Sequence, residues 1–118
     1  MKAPKELWRP AEAFVRNSNM FRFMATVNQR YHLSLSDYRQ LWQWSVDHIP
    51  EFWGLFWEFA GIVASKPCTE VVSDPYRMPG AKWFSGAELN FAENLLRFRD
   101  DHTALIFQGE GQPRTSLT

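Results

Sequence analysis

Histidines, cysteine and clustered carboxylates are the side chains of this sequence that would carry chemistry, and they are few. The histidines are His32, His48 and His102, and Cys68 is the single cysteine. Their spacing matches no metal-binding pattern, and one cysteine cannot build a cysteine-rich zinc site. We therefore predict surface or helix-capping histidines, an inert thiol, and no metal-binding or cofactor-binding residue in this chain.

Three short segments have the composition of a catalytic site without its pattern. Ser45, Asp47 and His48 are the residue types of a catalytic triad, but a triad is defined by spatial geometry. Residues 100–102 read Asp-Asp-His and follow a predicted helix, where polar turn residues are expected. Residues 109–111 read Gly-Glu-Gly and lack the Lys and Ser/Thr that complete a phosphate-binding loop. We assign no catalytic residue.

The overall composition indicates a small globular domain without a charge signature. Among 118 residues, 13 basic and 13 acidic side chains cancel, so no net field favours nucleic acid or an anionic membrane. No apolar run approaches the ~20 residues of a membrane span, and residues 1–6 lack the apolar core of a signal peptide. A lone cysteine suits a reducing compartment. We expect a cytoplasmic location and neither a nucleic-acid nor a membrane partner.

Apolar residues in the first half of the chain recur at the spacing of amphipathic helices. Pro10 suits a first helical position, with residues 11–15 following it. Residues 17–19 offer caps for a second helix, whose apolar stripe is Met20, Phe23, Met24, Val27 and Tyr31.

The third and fourth helices are predicted to meet at Pro50, because the residue before a proline avoids the α region. Ser34 with Asp37 is a capping signature for the third helix, and Ser36 is the rival cap. Its apolar face is predicted to hold Tyr38, Leu41, Trp42 and Ile49, with Trp44 and Val46 off that face. Two adjacent stripes on the fourth helix are Phe52, Phe56, Phe59 and Val63, and Trp53, Trp57, Ala60 and Ala64.

The second half of the chain reads as loops, one helix and short strands. Residues 70–73 suggest a strand, and residues 74–80 contain two prolines and a glycine typical of irregular chain. Ser85 and Glu88 form a capping box, which predicts a helix that starts at once. Residues 103–108 and 114–118 predict a hairpin around a turn at 109–113.

These patterns together predict a mainly α fold. We expect four to five helices and a C-terminal β-hairpin, with a helical segment at 1–101 and the hairpin at 102–118.

The stretch at 83–96 also carries a family resemblance. It reads Trp-Phe-Ser-Gly-Ala-Glu-Leu-Asn and then Phe-Ala-Glu-Asn-Leu-Leu, and it resembles the end of the N-terminal segment of acetyl-CoA synthetase-like adenylate-forming enzymes. The acetoacetyl-CoA synthetase branch is the more similar. It shares Met78-Pro79-Gly80-Ala81, Trp44-Ser45-Val46 and Phe52-Trp53.

The resemblance implies both a function and its limits. Complete enzymes of this family activate a short-chain acid with ATP and Mg²⁺, form an acyl-adenylate and transfer the acyl group to coenzyme A. The family's phosphate-binding loop lies far downstream of this segment. The resemblance therefore implies a structural N-terminal segment that is not catalytic alone, whose partner is the rest of a synthetase. In the family the hairpin leads toward the nucleotide-binding domain.

A different function remains open beside it. Six Trp and ten Phe are the residue types that dominate both cores and interfaces. A stand-alone, truncated homologue would use such side chains and the open edges of its C-terminal hairpin to bind a second copy of itself or to dock on a complete synthetase. The sequence leaves the roles of Trp83, Asn90 and Asn94 undecided between packing and contact with substrate or an interdomain hinge.

Overall fold

A computed structural model of the chain describes residues 7–118 and shows a mainly α fold. This part of the chain contains five helices, as predicted: α1 (Glu12–Arg16), α2 (Asn19–Tyr31), α3 (Tyr38–Asp47), α4 (Ile49–Phe59) and α5 (Phe91–Leu95). It also contains four short strands: β1 (Glu70–Val72), β2 (Trp83–Ser85), β3 (Leu105–Phe107) and β4 (Thr115–Leu117).

The core lies between α2, α3 and α4. Its buried side chains are Phe23, Met24, Val27, Leu41, Trp44 and Leu55. The ring of Phe23 meets those of Phe52, Phe56 and Phe59 edge to face, with centroids 5.5, 5.7 and 5.1 Å away. This arrangement is favourable for aromatic quadrupoles. The predicted apolar stripe of α2 is confirmed at its centre, because Phe23, Met24 and Val27 are the buried residues of this helix.

The buried faces of α3 and α4 differ from the prediction. On α3 it is Trp44 that is buried beside Leu41, whereas Tyr38 and Trp42 are exposed. On α4 only Leu55 is buried, although it belongs to neither predicted stripe. Leu55 packs with the buried residues of α2 and α3, whereas the larger rings of Phe52, Phe56 and Phe59 surround Phe23 and remain partly exposed.

The observed ends and caps of the helices differ from several sequence predictions. The cap of α3 is Asp37, whose side chain accepts from the backbone N–H of Gln40, and neither Ser34 nor Ser36 fills that role. Ser18 caps α2 as predicted. Pro10 lies outside α1, which begins after Ala11, and α4 ends at Phe59, short of the predicted Val63.

Two antiparallel hairpins complete the architecture. In the first, β1 pairs with β2, so that Glu70 faces Ser85 and Val72 faces Trp83. In the second, β3 pairs with β4, so that Leu105 faces Leu117 and Phe107 faces Thr115. The C-terminal hairpin and the strand at β1 confirm the predictions.

The predicted helix start at Ser85 is wrong. Ser85 ends β2, and Phe84 and Gly86 have positive φ angles of 47° and 80°, which a helix cannot contain. Helix α5 begins only at Phe91, capped by the side chain of Asn90, which accepts from the N–H groups of Ala92 and Glu93. Pairing of β2 with the distant β1 has overridden the local capping signature.

Candidate docking surface

The side chains whose types could carry chemistry are not brought together. The Ser45 hydroxyl donates to the carbonyl of Trp42 at 2.7 Å, and the Asp47 carboxylate accepts from the Gln43 amide. The His48 ring stacks on Trp44 at a centroid distance of 5.6 Å. Each group is thus occupied within α3 or at its end, and they form no triad.

The remaining candidates lie on the surface. His102 Nδ1 is 2.8 Å from Asp100 Oδ1, in a pair that is open to solvent. His32 ends α2 in the left-handed conformation, a capping position. Across residues 7–118, no three His, Cys, Asp or Glu side chains are grouped so as to hold a metal ion.

The residues left undecided by the sequence have structural contacts. The Trp83 ring lies 5.9 Å from that of Trp53, nearly perpendicular to it, and thereby packs the first hairpin on α4. The ring centroids of Phe84 and Trp57 are 4.5 Å apart. Asn90 caps α5, and Asn94 bonds the backbone of Val63.

An apolar groove runs between α2, α3 and α4. Its volume is 360 Å³, and no charged side chain lines it. Met20, Tyr38 and Trp42 form its rim and are about half exposed or more. Its polar members are Asn19 and Ser45.

An extended exposed apolar surface belongs to the C-terminal arm, which we define as residues 91–118. No residue of α5, β3 or β4 is buried. More than half of each of the following apolar side chains is exposed: Phe91, Leu95, Leu96, Phe98, Leu105, Ile106, Phe107 and Leu117. Exposed apolar side chains at this density mark an interaction surface.

The shape of the molecule agrees with an arm that stands apart. The radius of gyration is 19.6 Å, whereas a compact domain of this length has a value of roughly 13–14 Å. The arm therefore contributes surface without contributing to the core. Among the described helices, the longest, α2, has 13 residues, and none is long and apolar enough to cross a membrane.

Comparisons with known proteins identify the segment. Residues 38–95 match the family described as acetyl-coenzyme A synthetase N-terminus. The chain is 44% identical over 110 residues to an acetoacetyl-CoA synthetase of Danio rerio, covering 92% of this chain and 16% of that protein. It is 39% identical to a malonamoyl-CoA synthetase of Penicillium aethiopicum, covering 95% of this chain and 16% of that protein.

The fold is also similar to one part of a solved acetoacetyl-CoA synthetase. The acetoacetyl-CoA synthetase from Streptomyces lividans superposes with a TM-score of 0.80 at 30% identity, over 98% of this chain and 18% of that one. The chain spans about a sixth of the length of the curated relatives it matches.

Proposed function

This chain belongs to the acetyl-coenzyme A synthetase N-terminus family, as the N-terminal segment of an acetoacetyl-CoA synthetase-like protein, and we propose that it acts as a structural segment against which the catalytic part of such an enzyme packs. The observation that carries the proposal is the C-terminal arm, whose apolar side chains find no cover within the described chain. Burying a side chain of this size contributes about 1.5–3 kcal/mol, so several together would hold a large domain in place.

The reaction we propose for the complete enzyme is ligation of acetoacetate to coenzyme A. The substrate carboxylate attacks the α-phosphorus of ATP and releases pyrophosphate. The thiolate of coenzyme A then attacks the acyl carbon and releases AMP. ATP, Mg²⁺ and coenzyme A would be bound by residues outside this segment, because the described residues offer neither a phosphate-binding loop nor a group of metal ligands.

A chimeric enzyme tests the proposal. Residues 1–118 replace the matching segment of the Streptomyces lividans synthetase, and pyrophosphate release is measured with acetoacetate, ATP and Mg²⁺. We expect activity in the chimera and none in the isolated chain. In the chimera, Leu96→Asp should lower the activity by placing a charge in the buried contact, whereas Glu93→Gln on the same helix should not.

Two results would overturn the proposal. One is a chimera with the melting behaviour of the parent enzyme and no acetoacetate-dependent pyrophosphate release. The other is release by the isolated chain that scales with its concentration. The alternative function, a stand-alone module that binds a second copy of itself or a complete synthetase, is supported by the same exposed arm and is addressed by its state of association in solution.

A further inference from the structure

Among the described residues, the backbone carbonyls of Ala60 and Gly61, at the end of α4, have no backbone partner. Gly61 follows the helix with a φ of 62°, and its N–H donates to the carbonyl of Glu58 at 3.0 Å. The N–H of Ile62 donates to the carbonyl of Trp57 at 3.3 Å. This is the Schellman pattern, which satisfies two of the last carbonyls of a helix and leaves those beyond them open.

The open carbonyls are bonded by a side chain of the C-terminal arm. Arg97 Nη1 donates to Ala60 O at 3.1 Å and to Gly61 O at 3.0 Å. A cation at this place also complements the negative end of the helix dipole. A Cβ added to Gly61 would lie 3.5 Å from the same nitrogen, so the guanidinium lies close against the turn.

Asn94 makes a second contact, three residues earlier on α5. Its Oδ1 accepts from Val63 N at 2.8 Å, and its Nδ2 donates to Val63 O at 2.8 Å. The same Nδ2 donates to Asn90 O at 3.0 Å. Asn28 bonds both backbone groups of Leu35 in the same way, where it fixes the connection between α2 and α3.

Apolar packing does not perform this attachment, because α5 has no buried residue. Backbone hydrogen bonds between Glu88 and residues 65–66 hold the chain just before α5. Beyond that point, side-chain hydrogen bonds to residues 60–63 attach the arm to the helical body. We propose that Asn94 and Arg97 are positioning residues that form a polar latch between α5 and the end of α4. The latch holds the apolar arm in the orientation that its partner meets. Its use in catalysis rests on the proposed function, whereas the latch itself does not.

Two measurements on the full isolated chain test the latch. Spin labels at Gln29→Cys and Glu93→Cys, in a Cys68→Ser background, report the distance between α2 and α5. Hydrogen exchange at the amide of Val63 reports release of α5, because Arg97 does not touch that amide. With the labelled chain diluted into an excess of unlabelled chain, so that only distances within one copy are measured, we expect one narrow distance distribution in the parent and a broad one in Arg97→Met and in Asn94→Ala. In Arg97→Met the Val63 amide should exchange roughly fivefold faster, as expected when one hydrogen bond opens more often.

The matched control is Arg99→Met. Among the described residues, Arg99 bonds the carbonyl of Leu96 within the arm, so its loss should leave both readouts unchanged. Arg97→Lys, which keeps a cation near the two carbonyls, should restore part of the protection at Val63. The proposal is overturned if Arg97→Met gives the distance distribution and the Val63 exchange of Arg99→Met. Because these readouts need no enzyme activity, they fail separately from the chimera.

Discussion

Burial of single side chains decides which residues hold the helical body together. Leu55 is 4% exposed and packs with the buried residues of α2 and α3. We expect Leu55→Ala to lower the free energy of unfolding by about 2–4 kcal/mol, because the lost methyl groups leave a cavity. Urea unfolding followed by tryptophan fluorescence measures the change.

The control for Leu55 is a leucine of the arm. Leu96 is 62% exposed, and Leu96→Ala should change the free energy of unfolding by less than about 0.5 kcal/mol. A similarly large loss from both substitutions would show that the arm folds onto the body, and a similarly small loss from both would show that Leu55 is not a core residue.

Tyr31 introduces a pH dependence at the edge of the same core. Burial first, and the Glu51 carboxylate second, raise the pKa of the Tyr31 phenol above its usual 10.0. The folded state therefore disfavours the phenolate. Stability from this group is complete below the unfolded pKa near 10 and is lost as the pH rises through the folded pKa.

The corresponding substitution is Tyr31→Phe. We expect its stability to fall less steeply above about pH 10 than that of the parent, because it has no phenol to ionise. Unfolding curves across that range measure the slope. Tyr76→Phe, at an exposed tyrosine, is the control and should keep the parent's slope; a slope unchanged in Tyr31→Phe would contradict the assignment.

Residue patterns predicted part of this core and missed the rest for a physical reason. The stripe of α2 was readable because its apolar residues stand among polar ones. On α4 nearly every residue is apolar, so periodicity cannot distinguish Leu55 from the aromatic rings beside it. The structure buries Leu55 with residues of α2 and α3, and a local pattern cannot show such packing between helices.

At the level of elements, the caps provide the sharpest test. The Asp37 carboxylate accepts from the N–H of Gln40 at 2.9 Å, which satisfies one of the free donors of the first turn of α3. We expect Asp37→Ala to lower the free energy of unfolding by about 1 kcal/mol. Ser34→Ala, at the position favoured by the sequence, should have almost no effect. Thermal unfolding compares the two variants, and a larger loss of stability in Ser34→Ala than in Asp37→Ala would contradict the structure.

The first hairpin shows where local signals fail. Ser85 and Glu88 match a capping box, although Gly86 is a weak helix former and Asn90 is a second residue of a capping type. Strand β1, the pairing partner of β2, is separated from it by residues 73–82. Phe84 has a positive φ angle, which is uncommon for a bulky residue and cannot be predicted from its type. Strand pairing across that distance depends on packing against α4, which a local pattern cannot report.

At the level of the whole molecule, sequence alone predicted the C-terminal hairpin but not the extent of the exposed surface. The sequence predicts both strands around a turn at residues 109–113. Whether Leu105 and Phe107 face a core depends on which element lies against them, and the described chain provides none. The sequence predicted the open hairpin as a contact surface, and the structure adds the exposed apolar side chains of residues 91–98 to it.

That surface leads to our last prediction, which concerns association. On one face of the hairpin Leu105, Phe107 and Leu117 are all more than half exposed, and the outer edges of β3 and β4 are unpaired within the described chain. Unpaired edges recruit further strands. Burying a few such side chains offsets much of the entropy lost on association. We therefore predict dimers or larger species of the isolated chain at micromolar concentration.

Sedimentation of two matched variants separates this outcome from a monomer. Leu117→Lys places a charge on the apolar face of the hairpin, whereas Ser116→Lys places the same charge on the opposite face, because adjacent residues of a strand alternate. We expect Leu117→Lys to shift the chain toward monomer and Ser116→Lys to sediment nearly as the parent does. If the parent is monomeric throughout the micromolar range, the arm does not recruit a second copy. The exposed face would then be reserved for the catalytic part of a synthetase, the partner supplied in the chimeric enzyme.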